Sequence, residues 1–241
     1  MHLSKKYGNT ISEIKKDGFK ISKKIDMIPK GDTNYDMVKG LGIGIIEFSN
    51  ALKKFKPDLN VILGDRDEAL ASALAAFHMN IPNVHISGGD KTKAGLDESI
   101  RHAITKISNI HFPTTKKSKQ RIIRMGESPK FVFNVGSPSI DMIYKKQIIS
   151  KNNLEKKYKI KFTGNDILLI QHPITTEPEK SKNQISVLTE GVLKTKQTIF
   201  AIAPNSDAGN NKIFQTLELL SKKYSKFYLF KNIRREDYLG F

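Results

Sequence analysis

Between residues 85 and 102 the sequence HISGGDKTKAGLDESIRH gathers His85, Asp90, Asp97, Glu98, Arg101 and His102 around a Gly88-Gly89 pair. Carboxylates crowded at one place push their proton affinities apart, so that one serves as acid and another as base. An arginine among them suits an anionic ligand such as a phosphate. Gly88 and Gly89 either make a turn or let a substrate approach the backbone. Four other short stretches carry similar chemistry. GDRDE (64–68) offers Asp65 and Arg66, NVGSP (134–138) offers Ser137, QHPITTE (171–177) offers His172, and PNSDAGN (204–210) offers Asn205 and Asp207.

Each stretch follows an apolar, β-branched run. LNVILG (59–64), NVHIS (83–87), IHFPT (110–114) and FVFNVG (131–136) read as strands of a parallel sheet buried on both faces. DILLIQH (166–172), TIFAIAPN (198–205) and KFYLFKN (226–232) restart the pattern. Helical spacing lies between them, with Leu70, Ala73, Leu74 and Phe77 on one stripe and Ile100, Ala103, Ile104 and Ile107 on another. Alternating strands and helices predict an open α/β sheet, in which ligands bind beyond the carboxyl ends of the strands. The candidate residues all fall there. The charged stretch 144–165 divides the chain into an N-terminal lobe, residues 1–150, a linker, 151–165, and a C-terminal lobe, 166–241. Residues 1–57 offer one helix near 36–55 and a short strand at FKISKKIDM, but no opening strand. With three strands in the second lobe, the chain reads as part of something longer.

Structural alternatives stand beside each motif. Asp65 could cap the helix that follows it. Asp97 with Arg101, and Glu98 with His102, have the i,i+4 spacing of ordinary helix-surface pairs. His85 and His111 suit satisfied core histidines, and Asn205, Asp207 and Gly209 suit a turn. His172, held at a strand end by Pro173, is better placed for a ligand. Arg66 has no evident structural partner in the sequence.

Composition narrows the function classes. Of 41 basic residues only six are arginine, and the lysines are scattered with abundant Ile and Asn. The net charge of +17 therefore fits a solvated surface and AT-rich coding rather than a nucleic-acid patch. No run approaches the ~20 apolar residues of a membrane span, and the first residues show no secretory pattern. With no cysteine, the chain fits the cytoplasm. The ligand types are too dispersed for a metal site, none of which is expected. No Walker loop or dinucleotide turn appears, and GLGIG (40–44) lies inside a helical run. No cofactor is expected.

The run from LGDRDEALASALAAF to DESIRHAITKISNIHF, with VFNVGSPSIDMI, HPITTE and APNSDAGN, resembles the UDP-N-acetylglucosamine 2-epimerases. The likeness is greatest to the hydrolysing branch, which makes N-acetylmannosamine for sialic-acid-type sugars. The resemblance implies two Rossmann-like lobes of glycosyltransferase-B type, the second incomplete here, with a chain truncated at both ends. It implies a UDP-N-acetylglucosamine or similar UDP-acetamido-sugar substrate, elimination of UDP across C1 and C2, hydration of the glycal, and a homo-oligomer when complete. Asp65, Asp90 and one of Asp97 or Glu98 would be the acid/base set, with His172 helping the leaving diphosphate. Arg66, Gly88, Gly89, Arg101, His102, Ser137, Asn205, Asp207 and Asn211 would contact substrate. Relatives usually carry Glu at the position of Asp90 and an aromatic residue at that of Asp67. The non-hydrolysing epimerases, a diacetamido-sugar epimerase and an inactive UDP-sugar-binding fragment are the alternatives.

Overall fold

The computed structural model describes residues 2–28, 31–92, 95–145 and 148–241. Helix α1 (Ile11–Lys16) is followed by α2 (Asn34–Phe55), β1 (Asn60–Leu63), α3 (Asp67–His78), β2 (Asn83–Ile86), α4 (Asp97–Lys106), β3 (Ile110–Phe112) and α5 (Lys116–Arg124). Then come α6 (Pro138–Tyr144), α7 (Lys151–Tyr158), β4 (Ile167–Ile170), α8 (Ser181–Lys194), β5 (Ile199–Ile202), α9 (Asn210–Lys223), β6 (Phe227–Phe230) and α10 (Arg235–Tyr238). The contacts divide the chain into a unit of Lys23–Pro138 and another of Met1–Ser22 with Ser139–Phe241.

In the unit Lys23–Pro138, β1, β2 and β3 form one parallel sheet in that order. The register aligns Ile62, His85 and His111 on one face. That face is covered by α3 and α4, with Ile62, Ala73 and Ile104 at its centre. Helix α2 begins at a capping box, in which Thr33 and Asp36 each bond the other's backbone N–H at 3.1 Å. It approaches α3 closely because position 44 is glycine: a Cβ there would lie 2.7 Å from Met27 Cε and 3.0 Å from Ala71 Cβ. Helix α3 is therefore buried on two sides. Its inward residues are Ala71, Ala73, Ala75 and Ala76, and Phe77 of the expected stripe is 50 % exposed. In α4 the inward face is Arg101, Ile104 and Thr105, while Ala103 is exposed. A strict apolar stripe misses this face because most of it is polar.

Two expected strands do not form. Residues 131–136 make only an isolated bridge, His111 to Val132, since a 3₁₀ turn over Pro129–Phe131 takes up the start of the run. Residues 19–27 have no strand pairing.

In the other unit β4, β5 and β6 form a second parallel sheet. Leu169, Ile185, Ile199, Ala201, Ile213, Leu217 and Phe227 fill its core between the sheet and helices α8 and α9. The boundaries differ from the expected lobes of residues 1–150 and 166–241. The N-terminal residues pack here, with Lys6 Nζ donating to Asn210 and Asn211 and Arg234 pairing with Glu13 at 2.8 Å. The expected linker 151–165 contains α7, whose Leu154 is fully buried. Its Lys157 and Tyr158 both donate to the buried carboxylate of Asp237. A segment that supplies a buried leucine and two partners for a buried acid is part of the fold.

Candidate active site

The first cluster sits at the carboxyl ends of β1 and β2. After β1 the chain turns at Gly64, φ +81°, and delivers Asp65. Asp65 does not cap α3: the residue at the cap is Arg66, without a side-chain bond. Instead Asp65 Oδ2 accepts from Arg101 Nε at 2.7 Å and from Nη2 of the same guanidinium. Nη1 of Arg101 donates to the Asp90 carbonyl at 2.9 Å and to Thr92 Oγ1 at 3.1 Å. One buried guanidinium, 8 % exposed, thus ties the loop after β1 to the loop after β2. Glu98, in the first turn of α4, accepts from the Thr92 backbone N–H at 2.8 Å and lies 3.7 Å from His102 Nε2. Asp97 opens the same helix. Arg66, read from sequence as lacking a structural partner, lies 3.3 Å from Glu68. The guanidinium holds the Glu68 carboxyl below its ordinary range against the upward push of burial.

At the Gly88-Gly89 pair the protein's own groups approach the backbone closely. A Cβ on Gly88 would meet His85 Nδ1 at 2.8 Å and Thr105 Oγ1 at 3.0 Å. One on Gly89, φ +79°, would meet the Ser118 carbonyl at 2.5 Å. His85 is a satisfied core histidine, with Nε2 2.9 Å from the Gly64 carbonyl and Nδ1 3.2 Å from Thr105 Oγ1. Burial brings its pKa down to about 4. His111 is less well provided: it is 1 % exposed, and Nε2 is 3.5 Å from Glu127, beyond good hydrogen-bond geometry. Burial lowers its pKa too, partly opposed by Glu127.

Sequence reasoning passed over α5. Its Ser118 donates to Asp90 Oδ1, and Arg121 donates to the Gly89 carbonyl. The run TTKKSKQR reads as a solvated helix start. A Thr-x-x-Ser cap was visible there, but which loop it faces is a tertiary fact.

The other unit holds the second cluster. The Asn205 backbone N–H donates to His172 Nδ1 at 3.1 Å. With Nδ1 as acceptor, the imidazole proton is assigned to Nε2. Asn205 and Asp207 close a turn, through Asn205 Nδ2 to Asp207 Oδ2 at 2.6 Å and the Asp207 N–H to Asn205 Oδ1 at 3.2 Å. That turn starts α9, where Asn211 accepts from Lys6 Nζ at 2.6 Å. Ser137 is half-buried before α6. No cluster of metal-ligating residues occurs among the described residues.

Two parallel α/β units with acids at the strand ends admit many functions, and comparison with known proteins selects among them. The sequence profile described as UDP-N-acetylglucosamine 2-epimerase matches residues 1–241. The chain belongs to that family. A UDP-N,N'-diacetylbacillosamine 2-epimerase (hydrolyzing) of Legionella pneumophila is 38% identical over 218 residues, which are 90% of this chain and 58% of that protein. The polysialic acid biosynthesis protein P7 of Escherichia coli is 34% identical across 100% of this chain and 61% of its own length. The chain thus spans about 60% of these family members. A crystal structure of UDP-GlcNAc 2-epimerase from Neisseria meningitidis, bound to UDP-GlcNAc, superposes with a TM-score of 0.72 at 21% identity. The match covers 94% of this chain and 62% of that one, and gives this chain the fold of that family, the glycosyltransferase-B type.

Proposed function

We propose that the protein is a hydrolysing 2-epimerase of a UDP-linked 2-acetamido-sugar, with UDP-N-acetylglucosamine as the first substrate to test. The observation that carries the reading is the Arg101 tie, which sets Asp65 and the Asp90 loop beside each other at the strand ends. In the reaction a carboxylate takes the C2 proton as the C1–O bond breaks, and the electron pair leaves with UDP. Water then adds across the glycal, its hydroxyl to C1 and a proton to C2. Asp65, Asp90 and Asp97 or Glu98 supply the base and acid of the two proton transfers. His172, with its proton on Nε2, donates to the departing diphosphate. Arg66, Asn205 and Asn211 hold the nucleotide.

A second substrate reading has its own support. The Legionella relative at 38% and a Campylobacter jejuni relative at 36% are both named as diacetylbacillosamine 2-epimerases. A UDP-2,4-diacetamido-sugar is accordingly the alternative. Either product would feed sialic-acid-like sugar synthesis, by a cytoplasmic homo-oligomer.

The test incubates the protein with each UDP-sugar in D2O and follows C2 by NMR. Free 2-epimeric sugar carrying deuterium at C2 is expected. Deuterated UDP-N-acetylmannosamine would assign the non-hydrolysing reaction, and no exchange with either sugar would overturn the reading.

A further inference from the structure

We propose that Thr115 and Ser118 form a directed hydrogen-bond relay that positions Asp90 for its part in the reaction. This rests on the reading of Asp90 as an acid/base residue. Thr115 is the N-cap of α5, and its Oγ1 accepts the Ser118 backbone N–H at 3.1 Å. The same Oγ1 lies 2.6 Å from Ser118 Oγ. Ser118 Oγ in turn contacts Asp90 Oδ1.

The direction of the relay follows from counting protons. A hydroxyl donates one and accepts through its lone pairs. The carboxylate oxygen of Asp90 only accepts, so the Ser118 proton goes to it. Ser118 Oγ then accepts from Thr115 Oγ1, whose own lone pair takes the α5 backbone N–H. Each hydroxyl donates once and accepts once, and the chain runs from the helix end to the carboxylate. Ser118 is 2 % exposed, so water does not substitute for it. Arg121, one turn further on, holds the Gly89 carbonyl, and Gly89 has no side chain to keep the Ser118 carbonyl away. Asp90 is thereby fixed through its backbone and through Oδ1, which assigns the C2 proton to Oδ2.

Capping and positioning separate experimentally at Thr115. Aspartate is a good N-cap but has no proton to give to Ser118, whereas serine keeps both functions. Thr115→Ser is expected to retain kcat. Thr115→Asp and Ser118→Ala are expected to lower kcat by about 10- to 100-fold with KM within about twofold, and Thr115→Asp with little change in Tm. The Asp90 ¹³Cγ resonance at fixed neutral pH provides a readout that needs no turnover. It should move in Thr115→Asp and Ser118→Ala and stay in place in Thr115→Ser. Unchanged kcat in both altered proteins, or an unmoved Asp90 resonance, overturns the relay. Absence of C2 exchange in the parent protein would instead count against the functional reading, and the resonance would still decide the relay.

Discussion

Arg101 is the residue on which most of the first cluster depends. Removing its guanidinium leaves Asp65 and the Asp90 carbonyl without the donor they share, in a site where Arg101 is nearly buried and Asp65 is 23% exposed. Arg101→Gln is expected to cost about 2–4 kcal/mol, measured by urea unfolding, and to abolish turnover. Lysine would not rescue it, because an ammonium cannot reach three acceptors on two loops. Asp65→Asn should eliminate turnover while UDP binding, followed by calorimetry, stays nearly intact. The sequence displayed Asp65, Asp90, Glu98 and Arg101, since acids and arginine beside glycines are conspicuous. It anticipated the Glu98–His102 pair and misled on the other. The i,i+4 spacing offers Asp97 to Arg101, yet the structure sends Arg101 to Asp65, 36 positions away. Local spacing carries no information about a partner on another strand.

Two glycines separate what elements require from what they tolerate. Gly42 lies within α2 with nothing inside 4 Å of an added Cβ, so Gly42→Ala should stabilise by about 0.5–1 kcal/mol. Gly89→Ala meets a left-handed backbone and the Ser118 carbonyl, and should destabilise by about 2 kcal/mol or more. Thermal unfolding of both variants checks the pair. Strands and helices were legible wherever an apolar run or a 3.6-residue period was complete, as in β1, β2 and β4 to β6. Legibility failed where tertiary contact redefined a face. The buried alanines of α3 answer to α2 on one side and the sheet on the other, so no single stripe describes them. Helix α7 hides in a lysine-rich stretch because one buried leucine is too weak a period to notice.

At the scale of the whole molecule, His85 and His111, whose pKa values are clearly lowered, lie in the unit Lys23–Pro138. A depressed pKa means the folded state holds the neutral ring and the unfolded state binds the proton first. Their contribution is therefore complete above the unfolded value, near 6.5, and is lost as pH falls. For His85, with a folded value of about 4, the loss between those limits is on the order of 3 kcal/mol. Unfolding by urea between pH 8 and pH 5 should show this decline, and His85→Gln should flatten it. The exposed strand β1 has a different consequence, one of colloidal behaviour. Among the described residues it is an outer strand of its sheet, with Val61 and Leu63 63% and 64% exposed. Such an edge is a template for another chain. A charge of +17 keeps molecules apart at low ionic strength, and salt removes that protection as the screening length falls from ~10 Å at 0.1 M to ~3 Å at 1 M. Light scattering should therefore report self-association that rises with added salt, the reverse of ordinary salting-in, and Val61→Lys should suppress it.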